Sequence, residues 1–519
     1  MKKIEIYDTT LRDGTQAEGI SLSLGDKLKI AKRLDQFGVT FIEGGWPGSN
    51  PKDMAFFKEV KKLGLANAKV AAFGSTRRAY IKAADDVNLK ALVAAKTEVV
   101  TIFGKSWDLH VSKVFNVPLK ENLAMIYDSV KFLKKKKKHV VFDAEHFFDG
   151  FEVNHEYALE ALCAAEAGGA DTLALCDTNG GMTPSRIFEI VSIVRKAMKT
   201  PIGIHCHNDS DCAVANSLAA IEAGAVHVQG TMNGIGERCG NANLVSIVAN
   251  AQLKLGKKCV SEAKLRNLTD MSRYIAEVCN LPLEGNEPFV GKSAFAHKAG
   301  VHVNAMLKNR LTYEHVTPGF VGNKTRFLVS ELSGQSNVLL KAKQLDMNLS
   351  KNTPETKKIL KTVQDLENEG YQFEAAEASF ELIMRKVTGK FKPFFELISW
   401  RTSAEKREDG TVITEATVKL RVQGKEELSA GEGDGPVNAL DNAFRTALSK
   451  FYPVVNDIRL TDYKVRVIDG VAGTAARVRV FIQFQDENTE WTTVGVSENI
   501  IEASWHALVE AIEYKLLKG

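Results

Sequence analysis

The sequence predicts an α/β protein: a (β/α)8 barrel of the TIM type over residues 1–262, a helical linker region over 263–375, and a C-terminal α+β domain with an internal duplication over 376–519. Three observations carry that expectation. Eight short apolar strands recur through the first half, each followed by a loop and an amphipathic helix. The strands then give way to helical pattern alone. After residue 376 the pattern becomes strand–turn–strand, twice over, and each half closes with a helix. At 519 residues the chain is too long for one core, so two or three domains are expected.

The barrel strands are expected at 3–8, 39–45, 68–74, 97–104, 139–145, 171–177, 201–207 and 225–231. Helical spacing is clear between them, as in Leu28, Ala31, Leu34 and Phe37 before a stop at Gly38. Strands joined by helices pair in parallel through crossover connections, and eight such units close a barrel. An open doubly wound sheet is the competing arrangement. The count of eight and the absence of a Gly-rich first turn disfavour it. The lysine run 134–138 ends the helix before strand five, where cations suit the helix dipole, and reads as a solvated face.

In the linker, Gly291-Lys-Ser-Ala-Phe-Ala-His-Lys-Ala-Gly-Val-His302 and Thr312-Tyr-Glu-His315 stand out, since histidines among small residues are unusual in a spacer. Residues 339–369 read as a charged surface helix. In the tail, 391–399, 411–422, 462–468 and 475–486 are β-rich. Each half passes through a Gly-containing turn (Gly431-Glu-Gly-Asp-Gly435, then Thr493-Val-Gly495) into a helix, at 436–451 and 498–517. A duplicated β-rich unit suggests a ligand-sensing or dimerising, regulatory module.

Composition narrows the function classes. The chain is 44% hydrophobic and 25% charged with a net charge of +4, which does not suggest a nucleic-acid binder. No apolar run is long enough to span a membrane, and no signal-peptide core follows Met1. Seven cysteines without CxxC spacing read as free thiols. A cytoplasmic location is expected.

Catalytic groups of such a barrel belong where strands end and loops begin. Polar residues do collect there: Arg12 and Asp13, Glu43, Ser75, Lys105 and Ser106, Asp143 and Glu145, Asp177 and Thr178, His205 and His207, Asn233. His205 and His207 lie two residues apart and so share one strand face. Strands one and seven are separated only by strand eight, which lets Asp13 converge on the two imidazoles. Two histidines and a carboxylate leave positions open, the mark of a catalytic metal site. Two core histidines are the plainer alternative for an isolated His-x-His. The donor set admits zinc, manganese or magnesium. Arg12 beside the metal carboxylate would clamp a 2-oxo acid and stabilise a developing alkoxide; a structural salt bridge is the alternative. Glu145 and Thr178, at neighbouring strand ends, could position substrate.

Asp8-Thr-Thr-Leu-Arg-Asp-Gly-Thr-Gln16, His205-Cys-His-Asn-Asp209 and Asn233-Gly-Ile-Gly-Glu-Arg-Cys-Gly-Asn241, in this order, resemble the 2-isopropylmalate, homocitrate and citramalate synthase family of Claisen-condensing barrels. The β-rich tail resembles that family's C-terminal regulatory domain, so the likeness spans nearly the whole chain. It implies metal ligands Asp13, His205 and His207, with Asn241 as a possible fourth, and oxo-acid contacts from Arg12 and Thr178. It also implies a catalytic role for Glu145, and acetyl-CoA as co-substrate. His302 and Tyr313 match the linker pair that, in the family, reaches into the partner subunit's site, which implies a homodimer.

Within the family, Thr101-Ile-Phe-Gly-Lys-Ser-Trp-Asp-Leu-His110 departs from the isopropylmalate synthase pattern, His-Thr-Phe-Ile-Ala-Thr-Ser-Asp-Ile-His. Thr101 replaces the first histidine, and Gly104, Lys105, Ser106 and Trp107 replace the residues after Phe103. Bulk from Phe103 or Trp107 would suit a methyl over an isopropyl group. This segment and Gly44-Gly-Trp-Pro-Gly48 look most like the long-form citramalate synthases, which implies pyruvate as the oxo acid and isoleucine as a candidate effector of the tail. Isopropylmalate synthesis from 2-oxoisovalerate is the nearest alternative, and a metal-dependent aldolase or lyase on the same barrel a more distant one. For enolisation, Glu145 and a His302–Tyr313 relay are both candidates. The loop 233–241 is a candidate for CoA contact, with plain strand–helix packing as the alternative.

Overall fold

A computed structural model describes residues 3–328, 335–345, 347, 349–468, 473, 475–487 and 489–519. Residues 329–334, 346 and 348 of the expected linker, and 469–472, 474 and 488 of the tail, lie outside the described residues. The chain divides into two compact units. One comprises 1–295 with 314–325, and the other 296–313 with 326–519, so the stretch 263–375 is shared between them.

The first unit is a closed parallel barrel. Its strands are β1 (Glu5–Asp8), β2 (Phe41–Gly45), β3 (Lys69–Ser75), β4 (Val99–Lys105), β5 (His139–Glu145), β6 (Thr172–Asp177), β7 (Ile202–Cys206) and β8 (His227–Gly230). Each expected strand is present, with ends within two residues of expectation. β1 closes on β8 through Glu5–His227 to Asp8–Gly230. Their outer faces bury against the surrounding helices, with Ile6, Ile42, Val100, Phe142, Leu173, Ile204 and Val228 all in one core. Inside the barrel, rings of Tyr7, Phe41 and His227 pack at 5.1–5.8 Å between centroids, so its floor is a packed layer and not a pore.

Local chemistry sets the element ends. Helix α1 (Leu24–Phe37) begins with a Ser23–Asp26 capping box and stops at Gly38, whose φ of 97° is left-handed. At the end of β2, Gly45 takes a φ of 139°, and a Cβ there would lie 2.3 Å from Asp53. Asp53 in turn accepts from Trp46 N (2.9 Å) and Lys27 Nζ (2.5 Å). Glycine at 45 therefore lets the chain pass over this buried ion pair and present Trp46 to the barrel mouth. In the lysine run, Lys135, Lys136 and Lys137 are exposed, whereas Lys134 pairs with Asp171 (2.6 Å) and Lys138 donates to Thr97 O.

The second unit contains two βββα repeats. Three antiparallel strands, Glu396–Lys406, Val412–Val422 and Lys425–Gly433, precede the helix Pro436–Ser449. Arg459–Val467, Val478–Gln485 and Glu490–Ser497 precede the helix Ile500–Lys518. Of the Gly-containing stretches expected as turns, Gly431-Glu-Gly433 and Thr493-Val-Gly495 lie in the third strands of the two sheets, and only Asp434 and Gly435 connect to a helix. Their glycines serve helix–sheet contact: a Cβ on Gly431 would lie 2.9 Å from Ala439 O, and one on Gly495 only 2.0 Å from Ala503 O. Ala439 and Ala503 stand at matching positions, four residues into each closing helix. The stretch 339–369 is more than a charged surface helix and linker, since its Ala342, Ile359 and Val363 form a core with Val338, Phe373, Phe380 and Val494. A two-residue parallel pairing, Ala296–His297 with Arg326–Phe327, interrupts the helical segment. Among the described residues no helix is long and apolar enough to cross a membrane.

Candidate active site

The C-terminal ends of the barrel strands enclose a cavity of about 260 Å³. Its lining includes Arg12, Asp13, Phe103, Glu145, Thr178, His205 and His207, all expected at the site. Asp13, His205 and His207 place one ligand atom each within 4.8 Å of one another, and all three are buried. Among the described residues they are the only such grouping of His, Cys, Asp and Glu. His205 Nε2 stands 3.4 Å from Asp13 Oδ2. Asn241 is brought beside His207 by an isolated bridge between the two residues.

The donor set fits a cation. Among the described residues, His207 Nδ1 and Asn241 Oδ1 are buried with no hydrogen-bond partner, a costly arrangement unless something accepts their lone pairs. Burial lowers the proton affinity of both imidazoles, and for His207 the neighbouring His205 adds to it, taking that ring down to about 3. Asp13 feels burial pushing it up, but Arg12, His205 and His207 outweigh it and hold the carboxylate below its usual range. The trio at neutral pH is thus two neutral imidazoles and an anion, the forms that bind metals.

Arg12 is fixed from three sides. Its Nε donates to Glu43 Oε1, its Nη1 donates to Asp13 Oδ1 at 3.1 Å, and its guanidinium lies 3.8 Å over the Phe73 ring. Thr178 Oγ1 accepts from His146 N at 2.9 Å, leaving its own proton to donate. His146 takes a left-handed φ of 55° directly after Glu145, which turns that backbone N–H toward Thr178. Glu145 pairs with Lys105, its neighbour across the β4–β5 register.

The aromatic wall differs from expectation. Phe103 stacks on Phe73 (5.5 Å, 20°) and meets Trp46 edge-on (5.7 Å, 81°), and all three rings line the cavity. Trp107 does not line it; its ring stacks on His110 at 5.2 Å. The aromatic bulk that lines the cavity therefore comes from Phe103 with Trp46 and Phe73. Trp46 stood in a quoted motif without a role, and Phe73 carried no signal beyond an apolar strand position. Gln229 was also missed, although a polar residue two positions after His227 on a strand shares its inward face.

The loop 233–241 is an ordered strand–helix connection. Asn233 exchanges two hydrogen bonds with Ser272, and Asn241 N donates to Gly234 O at 3.0 Å. Arg238 reaches back to Asp209 (2.7 Å) and Thr178 O (2.8 Å). Glu237 and Arg238 of this loop also line the cavity. In the second unit, His302 and Tyr313 are exposed and stack on each other, with ring centroids 4.1 Å apart.

Residues 3–275 match the HMGL-like family, 289–370 the homocitrate synthase post-HMGL domain-like family, and 374–516 the LeuA allosteric (dimerisation) domain. An (R)-citramalate synthase of Geobacter sulfurreducens is 53% identical over 520 residues, covering all of this chain and 98% of its own length. One from Aquifex aeolicus is 53% identical with the same coverage. A 2-isopropylmalate synthase of Methanocaldococcus jannaschii is 31% identical over 99% of this chain and 95% of its own. With the barrel, the middle segment and the tail all matched in order, the chain belongs to the HMGL-like family, in the branch of the (R)-citramalate synthases.

Proposed function

We propose that the protein is an (R)-citramalate synthase, an acyltransferase that condenses acetyl-CoA with pyruvate and water to citramalate and CoA. The observation that carries the reading is a small cavity holding the Asp13–His205–His207 trio on one side and an aromatic wall of Trp46, Phe73 and Phe103 on the other. A divalent zinc, manganese or magnesium ion held by Asp13, His205 and His207, with Asn241 as a fourth donor, would supply a Lewis acid for the carbonyl of the oxo acid.

The chain's own groups do the rest. Arg12, pinned by Glu43 and Asp13, donates to the oxo-acid oxygen on which charge develops, and its fixed position needs no reorganisation during the reaction. Thr178 donates its free proton to the substrate carboxylate. Phe103 and its ring partners leave room for a methyl group and keep water from the keto carbon. Two groups are candidates for removing the acetyl α-proton, Glu145 in the cavity and the stacked His302–Tyr313 pair. The resulting enolate carbon bonds to the keto carbon, and water then cleaves the thioester to release CoA. Support for the His302–Tyr313 role is family likeness, which also supports a homodimer in which this pair serves the partner subunit's site.

On this reading residues 1–262 are catalytic, 263–375 the linker region, and 376–519 a regulatory module for which isoleucine is the effector to test. The setting is the cytoplasm, and the product enters isoleucine synthesis. The deciding assay is release of CoA thiol from acetyl-CoA with pyruvate or with 2-oxoisovalerate. Faster release with pyruvate is expected. Preference for 2-oxoisovalerate would transfer the reading to isopropylmalate synthesis, and cleavage of citramalyl-CoA without stimulation by either oxo acid would end the synthase reading.

A further inference from the structure

His205 and His207 are held in different ways. His207 Nδ1 has no hydrogen-bond partner among the described residues. His205 Nδ1 faces Gln229 Oε1 at 3.0 Å, and the other end of that amide, Nε2, donates to Asp143 Oδ1 at 2.8 Å. All three residues are buried, with Gln229 at 0% exposure.

We propose that the Asp143–Gln229 pair is a lock that fixes the tautomer of His205, and so sets the affinity of the chain for its metal. The inference rests on the metal reading above. An amide has one donor end and one acceptor end. Asp143 Oδ1 accepts from the NH2 end of Gln229, which leaves the amide carbonyl facing His205. A ring nitrogen facing a carbonyl must carry the proton. His205 is thereby Nδ1–H, with its lone pair on Nε2, the atom 3.4 Å from Asp13 Oδ2. With the amide reversed, Gln229 Nε2 would donate to His205 Nδ1, and the imidazole proton would move to His205 Nε2. There it would occupy the position a metal needs. Gln229 and Asp143 are positioning residues, since both act through His205.

The register supports the lock. Gln229 lies on β8 directly opposite His205 on β7, and β8 itself closes on β1, the strand that leads to Asp13. One side chain on the closing strand thus ties the ligand from β7 to the carboxyl from β5 across the barrel interior.

Two measurements test this. In the metal-free protein labelled with 15N-histidine, the His205 resonances, assigned by their loss in His205→Gln, should show a protonated Nδ1 and an unprotonated Nε2. A protonated Nε2 overturns the proposal, and this reading needs no change at Gln229. Binding of Zn2+ alone, in competition with a chromophoric chelator, should weaken by roughly 10–100-fold in Gln229→Met. Gln229→Glu, which keeps an acceptor for Nδ1–H, should stay within a few-fold of the parent. Equal zinc affinity in the parent and Gln229→Met, with His207→Ala weakened, removes the lock and leaves the metal site. Equal affinity in the parent and His207→Ala removes the metal reading itself.

Discussion

Replacing Phe103 by alanine should move the enzyme's preference from pyruvate toward 2-oxoisovalerate, and the structure bounds by how much. The branched substrate carries two more carbons than pyruvate. Burying each is worth about 0.8 kcal/mol, or about 1.6 kcal/mol for both. At 1.36 kcal/mol per tenfold, that alone is a roughly 15-fold gain in relative kcat/KM. Forcing those carbons against the intact Phe103–Phe73 stack costs about 1–3 kcal/mol of overpacking, which the alanine relieves. The total shift in the ratio of kcat/KM values is then on the order of 10²–10³. The fold should tolerate the change. Phe103 is half-buried and loses one stacked and one edge-on ring contact, each worth roughly 0.5–1.5 kcal/mol beyond area. The assay is CoA thiol release over a range of each oxo acid, with thermal unfolding as the control. A ratio within twofold of the parent, in a variant that still unfolds cooperatively, would refute the assignment of Phe103 to the substrate side chain.

Arg12→Lys keeps the charge but cannot bond Glu43 and Asp13 together through a planar fork. We expect kcat to fall by about 10²–10³ with little change in melting temperature, and a loss under threefold would contradict the role given to Arg12. Lys105→Met removes the cation that holds Glu145. A displacement of about 1 Å in Glu145 is worth roughly 10² in kcat, and Lys105→Arg should recover most of it; an active Lys105→Met would show that Glu145 needs no such anchor. Asp8 is buried, which pushes its carboxyl up to about 7 even though Thr10 donates to it twice. The native state therefore binds the proton more tightly than the unfolded chain does. Stability from this group is present at low pH and lost as the pH rises from about 4 to about 7, at up to about 1.4 kcal/mol per pH unit. Asp8→Asn should flatten that slope in chemical denaturation across the window, and an unchanged slope would assign it to other groups.

The barrel was legible because its period is a chain property. Each strand must be apolar on both faces, each helix on one, and Gly38 marks a helix end whatever the tertiary context. The trio of Asp13, His205 and His207 followed from counting strands, since topology alone brings strand seven near strand one. What stayed hidden depends on contacts between distant residues. Gly431-Glu-Gly433 reads as part of a turn because its glycines suit one, yet it ends the strand Lys425–Gly433, and its glycines admit a crossing helix. Trp107 and Trp46 both follow strand ends, and only the φ at Gly45 decides that the second faces the cavity. Gln229 is one polar residue on a buried strand, and its meaning lies in Asp143, which is far away in the chain.

Barrel closure has a consequence for how the protein is made. Asp13 follows the first strand and His205 ends the seventh, and the barrel seals only when β8 pairs with β1. At ribosomal rates of about 5–20 residues per second, roughly 10–40 s separate the synthesis of the carboxylate from that of the imidazoles. Over that interval no nascent fragment holds the complete trio. On the proposed metal reading, capture of the ion follows closure of the barrel and is a late event in biogenesis.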